Sequence, residues 1–156
     1  MVSGNVKQIL LSETATGAIK SVPTAELQAG KGIIGDRYYS AQGTFSEHLK
    51  DLPDFEITLI EQEQIDSFNA KTNLGYSGAN FRRNIVTENI RLNDLVGKEF
   101  TIGNAILRGV RLCEPCTHLA ELIGSEVLQY MIHKAGLRAQ IIIGDNIHID
   151  DGIIEQ

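Results

Sequence analysis

The sequence has no excess of positive charge, no long apolar run and only two cysteines, and each of these absences excludes a class of protein. Its 156 residues carry 14 Lys and Arg against 20 Asp and Glu, and the resulting charge of −6 argues against a nonspecific nucleic-acid binder. No apolar run reaches the roughly 18 to 20 residues of a membrane-spanning helix. Residues 1–5 lack the basic and apolar regions of a secretory signal. A disulfide between two cysteines only three positions apart cannot stabilise a chain of this size. The cysteine content therefore fits a reducing compartment, and we expect a cytoplasmic protein.

The composition that remains is typical of one folded domain. Hydrophobic residues make up 42% of the chain, more than a disordered chain would have, and we find neither an internal repeat nor a linker. Fifteen glycines recur mostly singly between short apolar runs, a pattern typical of short strands joined by turns. We therefore predict a single β-rich domain over residues 1–156, a barrel or closed sheet with two or three helices packed outside.

Local patterns predict the positions of most elements. A helix is expected over residues 61–69, and helical spacing begins again after Cys116, with Ser125 as a candidate cap for a further helix. Residues 56–60 alternate between polar and apolar, which predicts a half-buried strand. The Gly-Asn pair at 103–104 predicts a hairpin, and residues 144–146 predict a turn. The predicted strands cover residues 6–11, 18–22, 56–60, 84–87, 99–102, 105–110, 139–143 and 147–149.

The two cysteines form a Cys-Glu-Pro-Cys motif with several interpretations. Cys113 and Cys116 could form a redox dithiol, or a zinc site together with His118, although zinc normally needs a fourth ligand. They could also be two small, partly buried residues in a turn. Because helical periodicity begins only after Cys116, this cysteine lies near a helix start, where thiolate formation is favoured. The remaining interpretation is that Cys116 alone serves as a metal ligand or nucleophile.

Two further stretches contain arginine in patterns that can bind an anion. The turn residues Asp36 and Arg37 follow Gly35, and they predict either an arginine brought to a pocket or an ordinary solvated one. Arg82 and Asn84 are two positions apart on a predicted strand, so they would share a face and converge on a phosphate or carboxylate.

The neighbouring Arg83 would then point to the opposite face. In the alternative interpretation both arginines pair with nearby acids such as Glu88 or Asp94.

Taken in order, these stretches resemble a known family. The residues 35–37, 82–86, 95–103 and 112–119, followed by a Gly-Asp-Asn hairpin at 144–146 and Asp-Gly at 151–152, are similar to a MOSC domain, named for the C-terminal domain of molybdenum cofactor sulfurase. The similarity spans roughly residues 6–153. It implies a β-barrel-like core with peripheral helices.

The resemblance also implies a chemistry. In amidoxime and hydroxylaminopurine reductases of the family, a cysteine thiolate ligates molybdenum held by a pterin cofactor, molybdopterin, and N-hydroxylated compounds are reduced. The matching ligand and catalytic residue here is Cys116. Arg82 and Asn84 match an Arg-x-Asn that would hold the phosphate and pterin side of the cofactor. The remaining expected cofactor-binding residues are Asp36 and Arg37 in the family's turn, which would line the pocket, and Thr117 beside the cysteine.

The family also implies partners that the chain itself lacks. A reductase would need a small-molecule substrate and an external electron donor, and another protein or a second copy of the chain would complete an uncovered pocket. In the alternative, the protein is a non-enzymatic carrier, either of the molybdenum cofactor or of a persulfide on Cys116 that a cysteine desulfurase delivers. A desulfurase would be needed because no pyridoxal phosphate site is expected here. A dithiol or zinc-binding module is the remaining alternative. We expect neither a nucleic-acid nor a membrane partner.

Overall fold

The computed structural model describes residues 3–44, 46–49 and 52–156. Within these residues the helices are α1 (Ser46–Leu49), α2 (Gln62–Thr72), α3 (Gly78–Phe81), α4 (Thr117–Ile123) and α5 (Glu126–Tyr130), with 3₁₀ turns at Pro53–Phe55 and Leu92–Leu95. The strands are β1 (Ser3–Leu11), β2 (Lys20–Val22), β3 (Thr24–Gln28), β4 (Gly32–Ile33), β5 (Ile57–Glu61), β6 (Ile85–Glu88), β7 (Glu99–Ile102), β8 (Ala105–Leu112), β9 (Leu137–Ile143), β10 (Asn146–His148) and β11 (Gly152–Glu155). No helix in the described ranges is long and apolar enough to cross a membrane.

Seven strands close into a barrel, in the order β11-β7-β8-β9-β5-β6-β1. Closure comes from antiparallel pairing of β1 with β11, where Gly4 lies opposite Ile153. Closure also leaves these seven strands without a free edge. The β5–β6 pair is parallel, because the connecting segment contains α2 and α3 and returns the chain to the same end of the sheet. This confirms the predicted β-rich barrel with helices outside it, although the described residues form five short α-helices and not two or three.

The barrel interior is filled by residues that alternate along each strand. Inward positions such as Leu59, Phe100 and Leu107 are fully buried and belong to one apolar cluster. The smaller sheet β10-β3-β4 adds Leu27 and Ile147 to this cluster. The second sheet therefore packs against the barrel and shares its core.

A second apolar cluster lies between the outer face of the barrel and the helices. Ile60 on β5 belongs to it together with Ile65 and Phe68 of α2 and Phe81 of α3, and the two phenylalanine rings meet edge to face at 5.6 Å. The predicted strand at residues 56–60 is confirmed as β5, but the prediction that it is half-buried is wrong. All five are buried, because the helices cover the outer face of β5.

Two other local predictions need correction. The 144–146 turn does not form a hairpin: β10 pairs with β3, with Ile147 opposite Ala25, whereas β9 stays in the barrel. Ser125 does precede α5, but its side chain makes no capping hydrogen bond and its backbone is already helical. The Gly103-Asn104 hairpin is confirmed, with Ile102 opposite Ala105 and a positive φ of 56° at the glycine.

One buried acid, Glu56, connects the barrel to the turn after β3. Only 2% of its surface is exposed, and its Oε1 accepts hydrogen bonds from the backbone N–H groups of Gly30 (3.0 Å) and Ile141 (3.1 Å). Burial raises the pKa of the Glu56 carboxyl above its ordinary value, although the two hydrogen bonds partly oppose the shift. Folding therefore shifts the protonation equilibrium of this group towards its neutral form.

We expect the substitution Glu56→Gln to stabilise the protein at neutral pH. Because the folded state binds this proton more tightly than the unfolded chain, the wild type loses stability as pH rises through the raised pKa. The uncharged amide keeps an oxygen acceptor and has no such loss. The melting temperature at pH 7 should rise by roughly 2–4 °C, the shift that about 1 kcal/mol gives at this chain length.

The difference should shrink as pH falls towards the ordinary range of glutamate, which a pH series of thermal melts would measure. Glu26→Gln, on the exposed side of β3, serves as the control and should leave the melting curve unchanged. A melting temperature of Glu56→Gln below that of the wild type at pH 7 would contradict the proposed effect of burial.

Candidate functional site

A cleft of about 330 Å³ lies where β8 and β9 meet α3 and α4. It is lined by five of the seven arginines in the sequence, against the single described lining acid, Glu114. The guanidinium group presents five N–H donors in a planar fork that matches phosphate and carboxylate. An acidic protein thus has a positively charged cleft suited to an oxoanion. The five arginines are Arg37, Arg82, Arg83, Arg111 and Arg138.

Cys116 lines this cleft at the start of α4. It occupies the N-cap position, and its backbone carbonyl accepts a hydrogen bond from Ala120 N at 3.0 Å. This confirms the expected helix start. Both cysteines are free thiols, but Cys113 is only 2% exposed, whereas Cys116 is partly exposed. The two thiols of the motif are therefore not equivalent.

The loop between the two cysteines is held by contacts on both sides of Glu114. Cys113 N donates to Gly136 O at 2.8 Å. The Glu114 carboxylate binds His133 twice, accepting from its backbone N–H (2.7 Å) and contacting its ring Nδ1 (2.6 Å). Asn93 Nδ2 donates to the carbonyl of His133 at 2.8 Å. These bonds fix the loop that precedes Cys116.

The turn at residues 35–37 brings its arginine to the cleft, as one of the two interpretations predicted. Asp36 accepts hydrogen bonds from Ser12 N (3.2 Å) and Tyr38 N (3.3 Å) and pairs with Arg37 Nη1 (3.2 Å). Arg37 is 6% exposed, and its Nη2 donates to Arg82 O at 3.0 Å. The alternative of an ordinary solvated arginine is therefore wrong. Asp36 is buried beneath the turn and is not among the residues lining the cleft.

Arg82 lies at the end of α3, not on a strand. Its φ is +57°, so the prediction that it shares a strand face with Asn84 is wrong. Its guanidinium donates to the carbonyls of Gly17 (3.0 Å) and Ala15 (2.8 Å). Burial lowers the pKa of Arg82 from its usual value, and the positive charge of Arg37 lowers it further. A bound anion would relieve this crowding of positive charge.

Arg83 also lines the cleft, and its Nε donates to the carbonyl of Ala135 at 2.9 Å. The predicted alternative, in which the adjacent arginines pair with acids, is wrong: Glu88 pairs with Lys7 and Asp94 pairs with Arg91.

Asn84 is buried below the cleft, with 2% of its surface exposed. Its Oδ1 accepts a hydrogen bond from Thr58 N (3.0 Å), and its Nδ2 donates to Leu10 O (3.3 Å). The amide thus joins β1 and β5 at the start of β6. Thr117 is exposed beside Cys116 and, like Asn84, is not among the lining residues. The binding roles predicted for these two residues stay predictions.

Sequence reasoning missed Arg111 and Arg138. They occupy directly opposed positions on the antiparallel strands β8 and β9, and both line the cleft. No spacing rule connects residues so far apart in the chain, since only the register of the two strands brings them together. Among the described residues, no three His, Cys, Asp or Glu side chains are grouped as a metal site. The structure therefore adds no support for the zinc interpretation of Cys113, Cys116 and His118.

Comparisons with known proteins agree with the fold described above. The chain matches the family model of the MOSC domain over residues 27–152. A comparison with curated proteins finds no match. Among solved structures, it is similar to the YuaD protein from Bacillus subtilis, with a TM-score of 0.82 and 14% identity over 97% of this chain and 94% of that one.

It is also similar to YiiM from Escherichia coli, with a TM-score of 0.70 and 17% identity over 97% of this chain and 69% of that one. For YiiM from Geobacillus stearothermophilus the TM-score is 0.72 and the identity 13%, over 98% of this chain and 75% of that one. At these identities the similarity establishes a shared fold.

We expect Asn84→Ala to destabilise the protein by about 2–4 kcal/mol, because buried hydrogen-bonding groups of Thr58 and Leu10 would lose their partner. Urea denaturation followed by circular dichroism would measure the change. Asn104→Ala, at an exposed position in the β7–β8 turn, is the control and should cost much less. Equal losses in the two variants would contradict a structural role for the buried amide.

Proposed function

The chain belongs to the MOSC domain family, and on this basis we propose that it binds the molybdenum cofactor through the thiolate of Cys116 and reduces N-hydroxylated small molecules. The observation that carries the proposal is that Cys116, and not the buried Cys113, opens into a cleft lined by arginine. A soft thiolate ligand suits molybdenum better than a hard oxygen ligand does. Cys116 would therefore be the metal ligand and the catalytic residue.

The arginines around this thiol fit the other half of the cofactor. Its phosphate carries negative charge and requires donors such as guanidinium groups. Arg82 and Arg37 are adjacent, since Arg37 donates to the carbonyl of Arg82, and the crowding of their charges favours a bound anion. In this proposal the two residues hold the phosphate, and Thr117 contacts the cofactor beside the metal ligand.

Two buried residues would support this arrangement from below. Asp36 orients Arg37 through their 3.2 Å ion pair, and Asn84 fixes the strand that immediately follows Arg82 and Arg83. When bound, the cofactor would supply the two-electron chemistry that reduces an N-hydroxyl group, while the protein binds and orients the reactants. The electrons would come from an external donor protein, and that donor or a second copy of the chain would cover the open side of the cleft.

We expect the protein to retain molybdenum when it is purified from cells that make the cofactor. Cys116→Ser should lower the molybdenum content at least tenfold, since it replaces the thiolate with a much weaker ligand for this metal. Elemental analysis of the purified protein measures the occupancy directly, without a known substrate.

Cys113→Ser is the matched control, because it alters the buried thiol of the same motif and should leave the molybdenum content within about twofold of the wild type. Absence of molybdenum from the wild type, or equal content in the wild type and Cys116→Ser, would refute the proposed role of Cys116.

A second candidate function is a persulfide carrier, with the extra sulfur on Cys116. The burial of Cys113 favours it, since only one of the two thiols is open to a sulfur donor. Incubation with a cysteine desulfurase and cysteine should then add one sulfur atom, seen by intact mass, to the wild type and Cys113→Ser but not to Cys116→Ser. An unchanged wild-type mass would exclude this function.

A further inference from the structure

A second, smaller cavity of about 270 Å³ is not used by the proposed function. Its described lining residues come from the turn between β3 and β4, the segment between β4 and α1, the first residue of α1 and the 3₁₀ turn at Pro53–Phe55. Three of the seven are aromatic, namely Tyr38, Tyr39 and Phe55. Small-molecule sites in proteins are concave and lined mainly by apolar and aromatic side chains. This cavity has such a lining.

Tyr38 lines both this cavity and the cleft that contains Cys116. Its ring lies over the guanidinium of Arg37, whose Cζ is 5.0 Å from the ring centroid. The ring also packs closely against Gly43, where a Cβ atom would come within 2.5 Å of Tyr38 Cε1. These contacts hold the ring in place. Because one fixed ring borders both spaces, a molecule bound in the cleft can extend into the second cavity.

Hydrogen bonds fix two other parts of the wall of this cavity. Tyr39 Oη donates to Gln28 Oε1 at 2.8 Å, which ties its ring to the end of β3. The backbone N–H of Gly30, in the turn after β3, donates to the buried carboxyl of Glu56 at 3.0 Å. The wall is therefore formed before a ligand binds, so binding costs little ordering of side chains or loop.

The lining determines which ligand chemistry suits the cavity. Aromatic side chains attract a further ring in stacked or edge-to-face contact, in addition to the apolar area that the ring buries. Lys31 is exposed and is the only charged residue among the described lining residues. Its ammonium group favours the face of a neutral ring or an anionic substituent and repels a cation. A cavity of about 150 Å³ already holds benzene, so this one has room for a substituted ring.

We propose that this second cavity is a substrate subsite that binds a neutral or anionic aromatic ring, so that the preferred substrates carry their N-hydroxyl group on an aromatic molecule. The ring lies against Tyr39 and Phe55, and the N-hydroxyl group extends past Tyr38 into the cleft that Cys116 lines. The assignment to a substrate rests on the proposed function, whereas the binding of a ring can be tested without it.

The first experiment compares two N-hydroxylated probes that differ only in their ring. Benzamidoxime carries a benzene ring, and cyclohexanecarboxamidoxime carries a saturated ring of similar size on the same head group. Each is titrated into the cofactor-free protein, and the ring signals of Tyr39 and Phe55 are followed by ¹³C NMR. We expect benzamidoxime to shift both signals with one saturation curve and to bind roughly fivefold more tightly than the saturated probe, because ring–ring contacts add to the burial of apolar area.

Phe55→Leu keeps an apolar side chain in the cavity and removes its ring. The affinity for benzamidoxime, reported by Tyr39, should then fall to about that of the saturated probe. Tyr39→Leu, followed at Phe55, provides a second variant if the first does not fold. The control is Tyr130→Leu, which removes a half-buried ring from α5, outside the described lining of both cavities, and should leave the affinity unchanged.

Three results would each refute the binding of a ring in this cavity. The signals of Tyr39 and Phe55 do not respond to benzamidoxime, the two probes bind equally well, or Phe55→Leu and Tyr130→Leu change the affinity by the same factor.

The second experiment measures the reduction of both probes by protein loaded with the cofactor, and it decides whether the bound ring belongs to the substrate. Phe55→Leu should raise the KM for benzamidoxime roughly fivefold with little change in kcat, since the ring contact is the same in the bound substrate and in the transition state. An unchanged KM would overturn the assignment to a substrate. Failure to load any cofactor would refute the proposed function and the substrate assignment together, while the first experiment still decides whether the cavity binds a ring.

Discussion

The buried amide of Asn84 is the interaction on which the arrangement of the cleft depends. It is bound by Thr58 of β5 and Leu10 of β1, so it joins the strands on either side of β6 below the cleft. An amide buried this deeply is costly unless its donors and acceptor are satisfied. Arg82 and Arg83 directly precede Asn84 in the chain, and both line the cleft. The hydrogen bonds of the buried amide therefore also fix where the backbone of these two arginines lies.

Local structure, not net charge, determines what the cleft can bind. The chain carries a charge of −6, yet five arginines line one cavity. Backbone carbonyls, which are neutral acceptors, hold Arg82 and Arg83. The carbonyls fix the guanidinium groups without cancelling their charge, in contrast to the ion pair of Arg37 with Asp36. A site built in this way stays attractive to an anion while its arginines remain ordered.

Sequence patterns predict the secondary-structure elements that neighbouring residues determine, and they miss the contacts that form between residues distant in the chain. Hydrophobic periodicity located β7 and the helix that begins after Cys116, and the Gly-Asn pair located the β7–β8 hairpin, because each is determined by adjacent residues. The same reasoning wrongly predicted a hairpin at residues 144–146. The strand that follows, β10, pairs instead with β3, which lies more than a hundred residues earlier in the chain. It also missed the opposed Arg111 and Arg138, which only strand register brings together. The candidate role of Cys116 came from family resemblance, since spacing alone left the Cys-x-x-Cys motif with several interpretations.

The two thiols of the short motif differ in burial, so only Cys116 is open to a ligand in the cleft. Cys113 has its backbone N–H bound to the carbonyl of Gly136, and its side chain is packed inside the protein. The contacts of Glu114 with His133 hold the intervening loop in the same arrangement. The loop thus leaves Cys116 as the one partly exposed thiol of the motif, at the edge of a cleft lined by arginine.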